Sequence, residues 1–155
     1  MSARLRAAPT GGRVSSSEGL RALLAGTRVI AMVGASLERW RPSHGIMRDL
    51  QMSGYRVLPV NPNHAGDILH GERILSSLQE AESSLEGRGG IDLVNVFRRS
   101  DALRGVVEEA IAAGLPAIWT QIGVRDEVAA ARAEAAGMWV VTERCISVER
   151  RRLML

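Results

Sequence analysis

Residues suited to anion binding gather in one short stretch of the sequence, residues 28–46. The stretch opens with five consecutive apolar residues, 29–33, a pattern that predicts a strand buried on both faces. Gly34 ends the apolar run, and a short loop then carries Arg39 and Arg41. Because guanidinium groups donate charge-assisted hydrogen bonds to phosphate oxygens, this spacing favours a phosphate site where the strand ends.

A helix is predicted immediately after these arginines. Ser43 can cap its first turn through the side-chain hydroxyl, and Ile46, Met47 and Leu50 recur at helical spacing up to Gly54. The first amides of a helix lack internal acceptors and carry the positive end of the helix dipole. Together with the backbone N–H groups of the glycine turn, they are expected to hold an anion such as a pyrophosphate.

The rest of the sequence alternates strands with helices. Apolar runs predict strands over residues 56–60, 91–97, 115–121 and 138–142, and helical periodicity predicts helices over residues 19–25, 101–113 and 126–136. This alternation predicts an α/β fold with a doubly wound, mainly parallel, Rossmann-like sheet. Helices are expected on both faces of the sheet, in a three-layer αβα sandwich.

Domain organisation follows from the length and from the segments that lack periodicity. A chain of 155 residues suffices for one domain with its own hydrophobic core. Residues 1–18 are rich in Arg, Gly and Ser, and we expect them to form a flexible tail. Residues 19–155 then form a single domain, in which residues 71–78 supply a short edge and the polar residues 80–90 a connection.

The charge pattern excludes several classes of protein. All 20 basic residues are arginine, so neither a Schiff-base enzyme nor a Walker A loop can be built. Tail arginines usually form a solvated surface, and nucleic-acid binding is not predicted from the six near the ends: Arg4, Arg6, Arg13, Arg150, Arg151 and Arg152. No apolar run approaches a membrane span, and the single cysteine, Cys145, suits a reducing compartment, so a cytoplasmic protein is expected.

Ligands of doubly wound folds lie beyond the carboxyl ends of the strands, near the switch in strand order. That rule selects one rim, formed by residues 34–36, 61–63, 97–99 and 121–123. Four arginines are predicted on the same rim: Arg39, Arg41, Arg98 and Arg99. They suit a ligand with several negative charges, such as coenzyme A with its pyrophosphate and 3′-phosphate.

The dinucleotide NAD is the alternative ligand, and the sequence argues against it. Ser36 stands where the G-x-G-x-x-G fingerprint has its second glycine. The second strand ends in Asn61-Pro62-Asn63, without the acidic residue that grips the ribose hydroxyls. An NAD(P)-dependent oxidoreductase or redox sensor on the same fold nevertheless stays open as the rival interpretation.

No catalytic or metal-binding group can be assigned from spacing. The histidines His44, His64 and His70 show no metal-ligand spacing, and no Ser-His-Asp order can be argued. His44 could donate to a phosphate at the helix start or be a partly exposed helix residue. Cys145 is interpreted as a small buried apolar residue, with a reactive thiol as the alternative. Trp40 could stack on an adenine or cover the helix.

Six short motifs occur in the order found in the small stand-alone CoA-binding domain proteins. They are Gly34-Ala35-Ser36, Arg41-Pro42-Ser43, Val60-Asn61-Pro62-Asn63, Val96-Phe97-Arg98-Arg99-Ser100, Gln121-Ile122-Gly123-Val124 and Glu143-Arg144-Cys145-Ile146. The sequence therefore resembles this YccU-like group over residues 25–154, and the group is similar to the N-terminal domain of the succinyl-CoA synthetase alpha subunit. His44 departs from the pattern, because a tyrosine is common there.

The resemblance implies a Rossmann-like domain that binds coenzyme A or an acyl-CoA. Its site residues, carried onto this sequence, are Gly34, Ala35, Ser36, Arg41, Ser43, Asn61, Pro62, Phe97, Arg98 and Arg99. The expected protein is a binding module without evident catalytic machinery. A CoA-binding subunit that completes an acyl-CoA ligase is a further alternative.

Overall fold

A six-stranded parallel sheet forms the centre of the computed structural model, which describes residues 11–155. The sheet strands are β1 (Gly12–Arg13), β2 (Val29–Val33), β3 (Arg56–Val60), β6 (Leu93–Val96), β7 (Ala117–Thr120) and β8 (Trp139–Val141). Their order is β1-β8-β7-β6-β2-β3. Two further short strands, β4 (Ile68–Leu69) and β5 (Glu72–Arg73), pair as an antiparallel hairpin.

Helices cover both faces of the sheet. They are α1 (Ser17–Ala25), α2 (Pro42–Met52), α3 (Leu78–Ser83), α4 (Leu103–Ala112), α5 (Glu127–Ala135) and α6 (Ile146–Arg152). One core cluster packs α3, α4 and α5 against the sheet, and the other packs α1, α2 and α6 against the opposite face. The predicted three-layer, doubly wound sandwich is confirmed. Within the described chain, no helix has the length and apolar character needed to cross a membrane.

The first apolar run of the sequence contains no polar residue because it forms β2, a strand whose two faces are both covered. Its residues Ala31 and Val33 belong to one core cluster, whereas Ile30 and Met32 belong to the other. The strand pairs with β3 on one side and β6 on the other. The chain passes from β2 to β3 on one side and then returns past β2 to β6 on the other. The switch in strand order therefore lies between β2 and β6, and their carboxyl ends open a crevice there.

The amino-terminal part differs from the expected tail. Arg13 belongs to β1, which pairs with β8, and its guanidinium forms ion pairs with Glu127 at 2.7 Å and with Glu134 at 2.5 Å. Val14 is buried, and the Ser16 hydroxyl accepts a hydrogen bond from the Gly19 amide to cap α1. Residues 12–18 are thus part of the folded domain, while residues 1–10 of the expected tail lie outside the described residues.

Residues 80–90 were predicted to form a polar connection. This prediction is wrong for residues 80–83, which belong to helix α3. The Ser77 hydroxyl accepts from the Glu80 amide, and the Glu80 carboxylate accepts from the Ser76 amide. This pattern is similar to a capping box, except that the Glu80 carboxylate accepts from the residue before the N-cap, and it fixes the start of a helix that buries Leu78 and Ala81. The polar composition of the segment hid the spacing of its buried residues.

The carboxyl-terminal arginines also differ from a solvated tail. Helix α6 carries Arg150 and Arg152 back onto the domain, where Arg150 lies 3.4 Å from Asp49 and Arg152 lies 2.8 Å from Glu149. The pair of Arg150 with Asp49 connects α6 to α2, and the pair of Arg152 with Glu149 lies within α6. The sequence analysis did not predict α6. The buried residues Ile146 and Leu153 are separated by a mostly polar stretch, which hides the helical pattern.

Candidate functional site

The carboxyl ends of β2, β3, β6 and β7 open into a cleft of about 450 Å³. All ten residues implied by the family resemblance line it: Gly34, Ala35, Ser36, Arg41, Ser43, Asn61, Pro62, Phe97, Arg98 and Arg99. Residues that the sequence reasoning did not include among them also contribute, namely Glu38, Pro42, Asn63, His64, Gln121, Ile122 and Val124. All four predicted rim segments therefore reach the cleft, although Gly123 and the predicted rim residue Arg39 do not line it.

Gly34 forms the tightest point of the cleft. Its φ of +90° lies in the region that L-residues with a side chain rarely adopt. A Cβ at this position would lie 2.8 Å from the Phe97 carbonyl oxygen and 3.3 Å from Cγ of Arg98. The turn after β2 thus passes directly against the end of β6, and only glycine allows that approach.

The glycine turn uses two of its amides internally, in contrast to the expected role. The N–H groups of Gly34 and Ala35 both donate to the Val60 carbonyl oxygen, at 2.9 and 3.3 Å. These amides hold the turn to β3, so they are not open to a ligand. The Ser36 amide makes no hydrogen bond with the described residues, while its hydroxyl accepts from the Glu38 amide at 3.0 Å. Ser36 is the backbone donor that the turn leaves for an anion.

Helix α2 begins differently from the prediction, although it points its first turn at the cleft. Arg41 occupies the N-cap position without a side-chain capping bond, and Pro42 is the first helical residue. Ser43 is therefore not the cap. It lies inside the first turn, where it is 3% exposed and its hydroxyl has no hydrogen-bond partner among the described residues. That hydroxyl and the first-turn amides, at the positive end of the dipole, can bind an anion together.

Asn61 holds two walls of the cleft together. Its side-chain amide donates to the Ala35 carbonyl oxygen at 2.9 Å, and its side-chain oxygen accepts from the Asn63 amide at the same distance. The first bond fixes the glycine turn, and the second caps the 3-10 turn Pro62–His64. Both polar groups of the Asn61 side chain are thus occupied, which makes Asn61 a positioning residue for the loops on either side.

The four arginines predicted on the rim divide by their partners. Arg98 and Arg99 follow β6, but Arg99 is 87% exposed and pairs with Asp101 at 2.9 Å. The guanidinium of Arg98 forms no ion pair or hydrogen bond with the described residues, and its stem lies over Gly34. Arg98 is therefore an exposed cation in the lining of the cleft that is open to a ligand.

The loop before α2 places its charges on two sides. The Arg41 guanidinium lies 3.2 Å from the Glu38 carboxylate and 4.5 Å from the centre of the Trp40 ring. Arg41 lines both the cleft and a second, adjoining depression, whereas Trp40 and Arg39 line the second depression only. Trp40 is 72% exposed, so most of its ring is not packed against a helix.

Gln121 lines the cleft, although the sequence analysis did not include it among the ten site residues. It stands at the end of β7, and its amide donates to the Val96 carbonyl oxygen. Its side-chain oxygen is buried without a hydrogen-bond partner in the described chain. A buried acceptor without a donor costs about 1–3 kcal/mol, which a ligand N–H or O–H can recover. The sequence signal for Gln121 was the predicted order of strands, which placed residues 121–123 on the rim.

His44 does not line the cleft. Its ring packs edge-on against the ring of His70 with centroids 4.4 Å apart, and Nε2 of His70 lies 2.8 Å from the His44 carbonyl oxygen. Desolvation, followed by the charges of His70 and Arg39, lowers the pKa of His44. The histidine pair thus joins α2 to the β4–β5 hairpin and is unsuited to meeting a phosphate.

The parallel sheet, the order of its strands and the cleft at their carboxyl ends define an α/β domain of the Rossmann-like class. Comparison with known families places the chain within that class. The CoA binding domain family matches residues 28–151, which is most of the chain, and the protein belongs to this family.

Known relatives and solved structures agree with this placement. The uncharacterized protein YneT of Bacillus subtilis strain 168 is 37% identical over 129 residues, covering 83% of this chain and 90% of the relative. The structure of a Thermus thermophilus protein, cell-free ID.343, is similar with a TM-score of 0.80 and 37% identity, covering 90% and 99% of the two chains. A Rex-family repressor, RSP, in complex with NADH is similar at a TM-score of 0.54 and 16% identity, covering 81% and 60%, and shares the fold alone.

Proposed function

We propose that the cleft binds coenzyme A or an acyl-CoA, and that the chain acts by recognising this ligand. Membership of the CoA binding domain family supports the proposal for residues 28–151. The single observation that carries it is the Arg98 guanidinium, which lies in the cleft and has no partner among the described residues. A guanidinium of this kind beside a helix start is suited to an anionic ligand such as a phosphate.

The donors of the cleft suit a pyrophosphate near the start of α2. The lining includes Ser36 and Ser43, the latter in the first turn of α2, and also Arg98. Arg41 can join them because its pair with Glu38 is exposed at both ends, with side chains 56% and 55% exposed. Exposed ion pairs of this kind contribute only about 0–1 kcal/mol, so phosphate can replace the Glu38 carboxylate.

The end of β3 favours coenzyme A over NAD. A dinucleotide domain places an acidic side chain there for the ribose hydroxyls, whereas this chain places Asn61, whose side chain is occupied by Ala35 and Asn63. No carboxylate of β3 then repels a phosphate on the ribose. The likeness to the NADH-bound repressor keeps a nicotinamide cofactor as the alternative to be tested.

Isothermal titration calorimetry with coenzyme A, acetyl-CoA, NADH and NADPH tests the proposal. We expect the two CoA compounds to bind and to be preferred over both nicotinamide cofactors. Arg98→Gln should weaken coenzyme A binding by about tenfold or more, since a charge-assisted hydrogen bond contributes about 1.5–3 kcal/mol. Arg73→Gln makes the same charge change on the exposed face of the β4–β5 hairpin and is the matched control. A preference for NADH or NADPH would reject the proposal.

A further inference from the structure

A second depression, of about 350 Å³, adjoins the cleft on the other side of the loop before α2. The two share Arg41 and Pro42 in their walls. Both open at the carboxyl edge of the sheet, because Cys145 in the second depression follows β8. A ligand anchored in the cleft by its phosphates can therefore continue into the second depression over Pro42.

The walls of this depression combine apolar surface with open space. Trp40 and Ile46 supply an indole face and an aliphatic side chain, and Cys145 supplies a half-buried thiol. Gly45 lies in the first turn of α2, where glycine costs about 1 kcal/mol relative to alanine. A Cβ at Gly45 would meet nothing within 4 Å, so close packing does not require the glycine. The depression is wider because Gly45 has no side chain.

Three arginines line the depression, and one of them, Arg41, pairs with Glu38. Arg39 and Arg151 both line it, both are exposed, and neither forms an ion pair with the described residues. The carboxylate of Asp49 is also present, and it is already held by Arg150 at 3.4 Å. The Ser147 hydroxyl, followed by Arg150 and Arg151, lowers the pKa of that carboxyl. The depression therefore keeps an excess of positive charge beside its apolar walls.

We propose that this second depression receives the acyl end of an acyl-CoA and selects acyl groups that carry a free carboxylate. The inference rests on the proposed function of the cleft. The methylene groups of the acyl chain pack on Trp40 and Ile46, and the terminal carboxylate pairs with Arg39 and Arg151. Guanidinium groups bind a carboxylate through two parallel hydrogen bonds, a geometry that a neutral acyl group cannot offer.

Malonyl-CoA and isovaleryl-CoA form a matched pair for the test, because the carboxylate of one replaces the isopropyl group of the other. Calorimetry should show that the wild type binds malonyl-CoA about tenfold more tightly than isovaleryl-CoA, a difference of about 1.4 kcal/mol. In Arg151→Gln the ratio should fall below about threefold, and the Arg73→Gln control should keep the wild-type ratio. Equal affinities in the wild type would overturn this inference and leave the proposed function intact, whereas failure to bind any CoA compound would reject both.

The thiol of Cys145 gives a readout that needs no substitution. Malonyl-CoA should slow alkylation of Cys145 by iodoacetamide, because the acyl end lies beside the thiol. Adenosine 3′-phosphate 5′-diphosphate carries the three phosphates of coenzyme A without the pantetheine arm, and it should leave the alkylation rate unchanged. Equal protection by the two compounds would place the nucleotide end in the second depression and overturn the inference.

Discussion

At the scale of single residues, Gly34 determines how closely β2 and β6 approach at the cleft. Two physical effects act on it: a positive φ and the lack of room for a Cβ, which would lie 2.8 Å from the Phe97 carbonyl oxygen. Gly54 provides a comparison, since its φ is +98° and a Cβ there would meet nothing within 4 Å. The two glycines therefore separate backbone strain from steric collision.

Gly34→Ala is expected to destabilise the protein more than Gly54→Ala. Backbone strain alone costs about 1–2 kcal/mol for alanine in this region, and this is the expected loss at Gly54. At Gly34 the collision with Phe97 adds to it, for a total of about 3 kcal/mol or more. Urea unfolding of the two variants measures the difference. Equal losses would show that the approach of Gly34 to Phe97 has no energetic consequence.

Asn61→Asp tests the positioning role at the same scale. The aspartate keeps an acceptor for the Asn63 amide but cannot donate to the Ala35 carbonyl oxygen. We expect stability to fall by about 1–3 kcal/mol and coenzyme A affinity to fall with it. The variant should gain no affinity for NADH, although it has an acidic residue after β3. Binding of NADH by Asn61→Asp would show that the residue type at this position, and not the whole cleft, selects the cofactor.

Several of these residue roles could not be predicted from the sequence. The position of Gly34, Asn61 and Arg98 on one rim follows from strand order alone, and the structure brings them together. The partners of their side chains do not follow, because hydrogen bonds such as the one from Asn61 to Ala35 depend on the register between β2 and β3. For the same reason, the sequence could not distinguish the open Arg98 from the paired Arg99.

At the scale of elements, the β4–β5 hairpin is attached to α2 by a pair of histidines. The Gln51 side chain adds a hydrogen bond to the His70 carbonyl oxygen at 3.1 Å, and His70 has a positive φ of 49°. The same loop connects to the Pro62–His64 turn that lines the cleft. The attachment of the hairpin therefore helps to position one wall of the site.

Acidification should loosen this attachment. Desolvation, His70 and Arg39 lower the pKa of His44 below its ordinary value, so the unfolded chain binds a proton there before the folded one does. The stability that neutral His44 contributes is present above the ordinary pKa of about 6.5 and is lost as the pH falls toward the lowered value. Denaturant unfolding between pH 7.5 and 5.5 measures this loss. His44→Gln should show a smaller change, and an unchanged pH dependence in that variant would refute the role.

Elements were predictable where their buried residues form a dense pattern. Strand β2 and helix α4 match their predicted positions because their apolar spacing is regular. Helix α5 was predictable from its alanine-rich sequence and from Gly137 after its end. Helix α3 was missed because it buries only two side chains among polar neighbours, and strand β1 was missed because it buries none. The capping-box sequence at Ser77 and Glu80 was the signal for α3.

At the scale of the whole molecule, the sheet extends beyond the segment matched by the CoA binding domain family. Strand β1 adds an edge to β8 before residue 28, and Val14 is 7% exposed. Deletion of residues 1–15 should therefore destabilise the domain by about 2 kcal/mol, from the loss of Val14 burial and of the bonds to β8. Thermal unfolding of the truncated protein checks this. An unchanged melting temperature would support a dispensable tail instead.

The central claim is that the whole cleft is built for a polyanionic CoA compound. Native mass spectrometry of the full-length protein, mixed with equal concentrations of coenzyme A and NADH, tests it most directly. We expect the mass of the protein to increase by one coenzyme A, and the Arg98→Gln variant to show much less of this complex than Arg73→Gln. A complex with NADH in preference to coenzyme A, or equal occupancy in the two variants, would contradict the account.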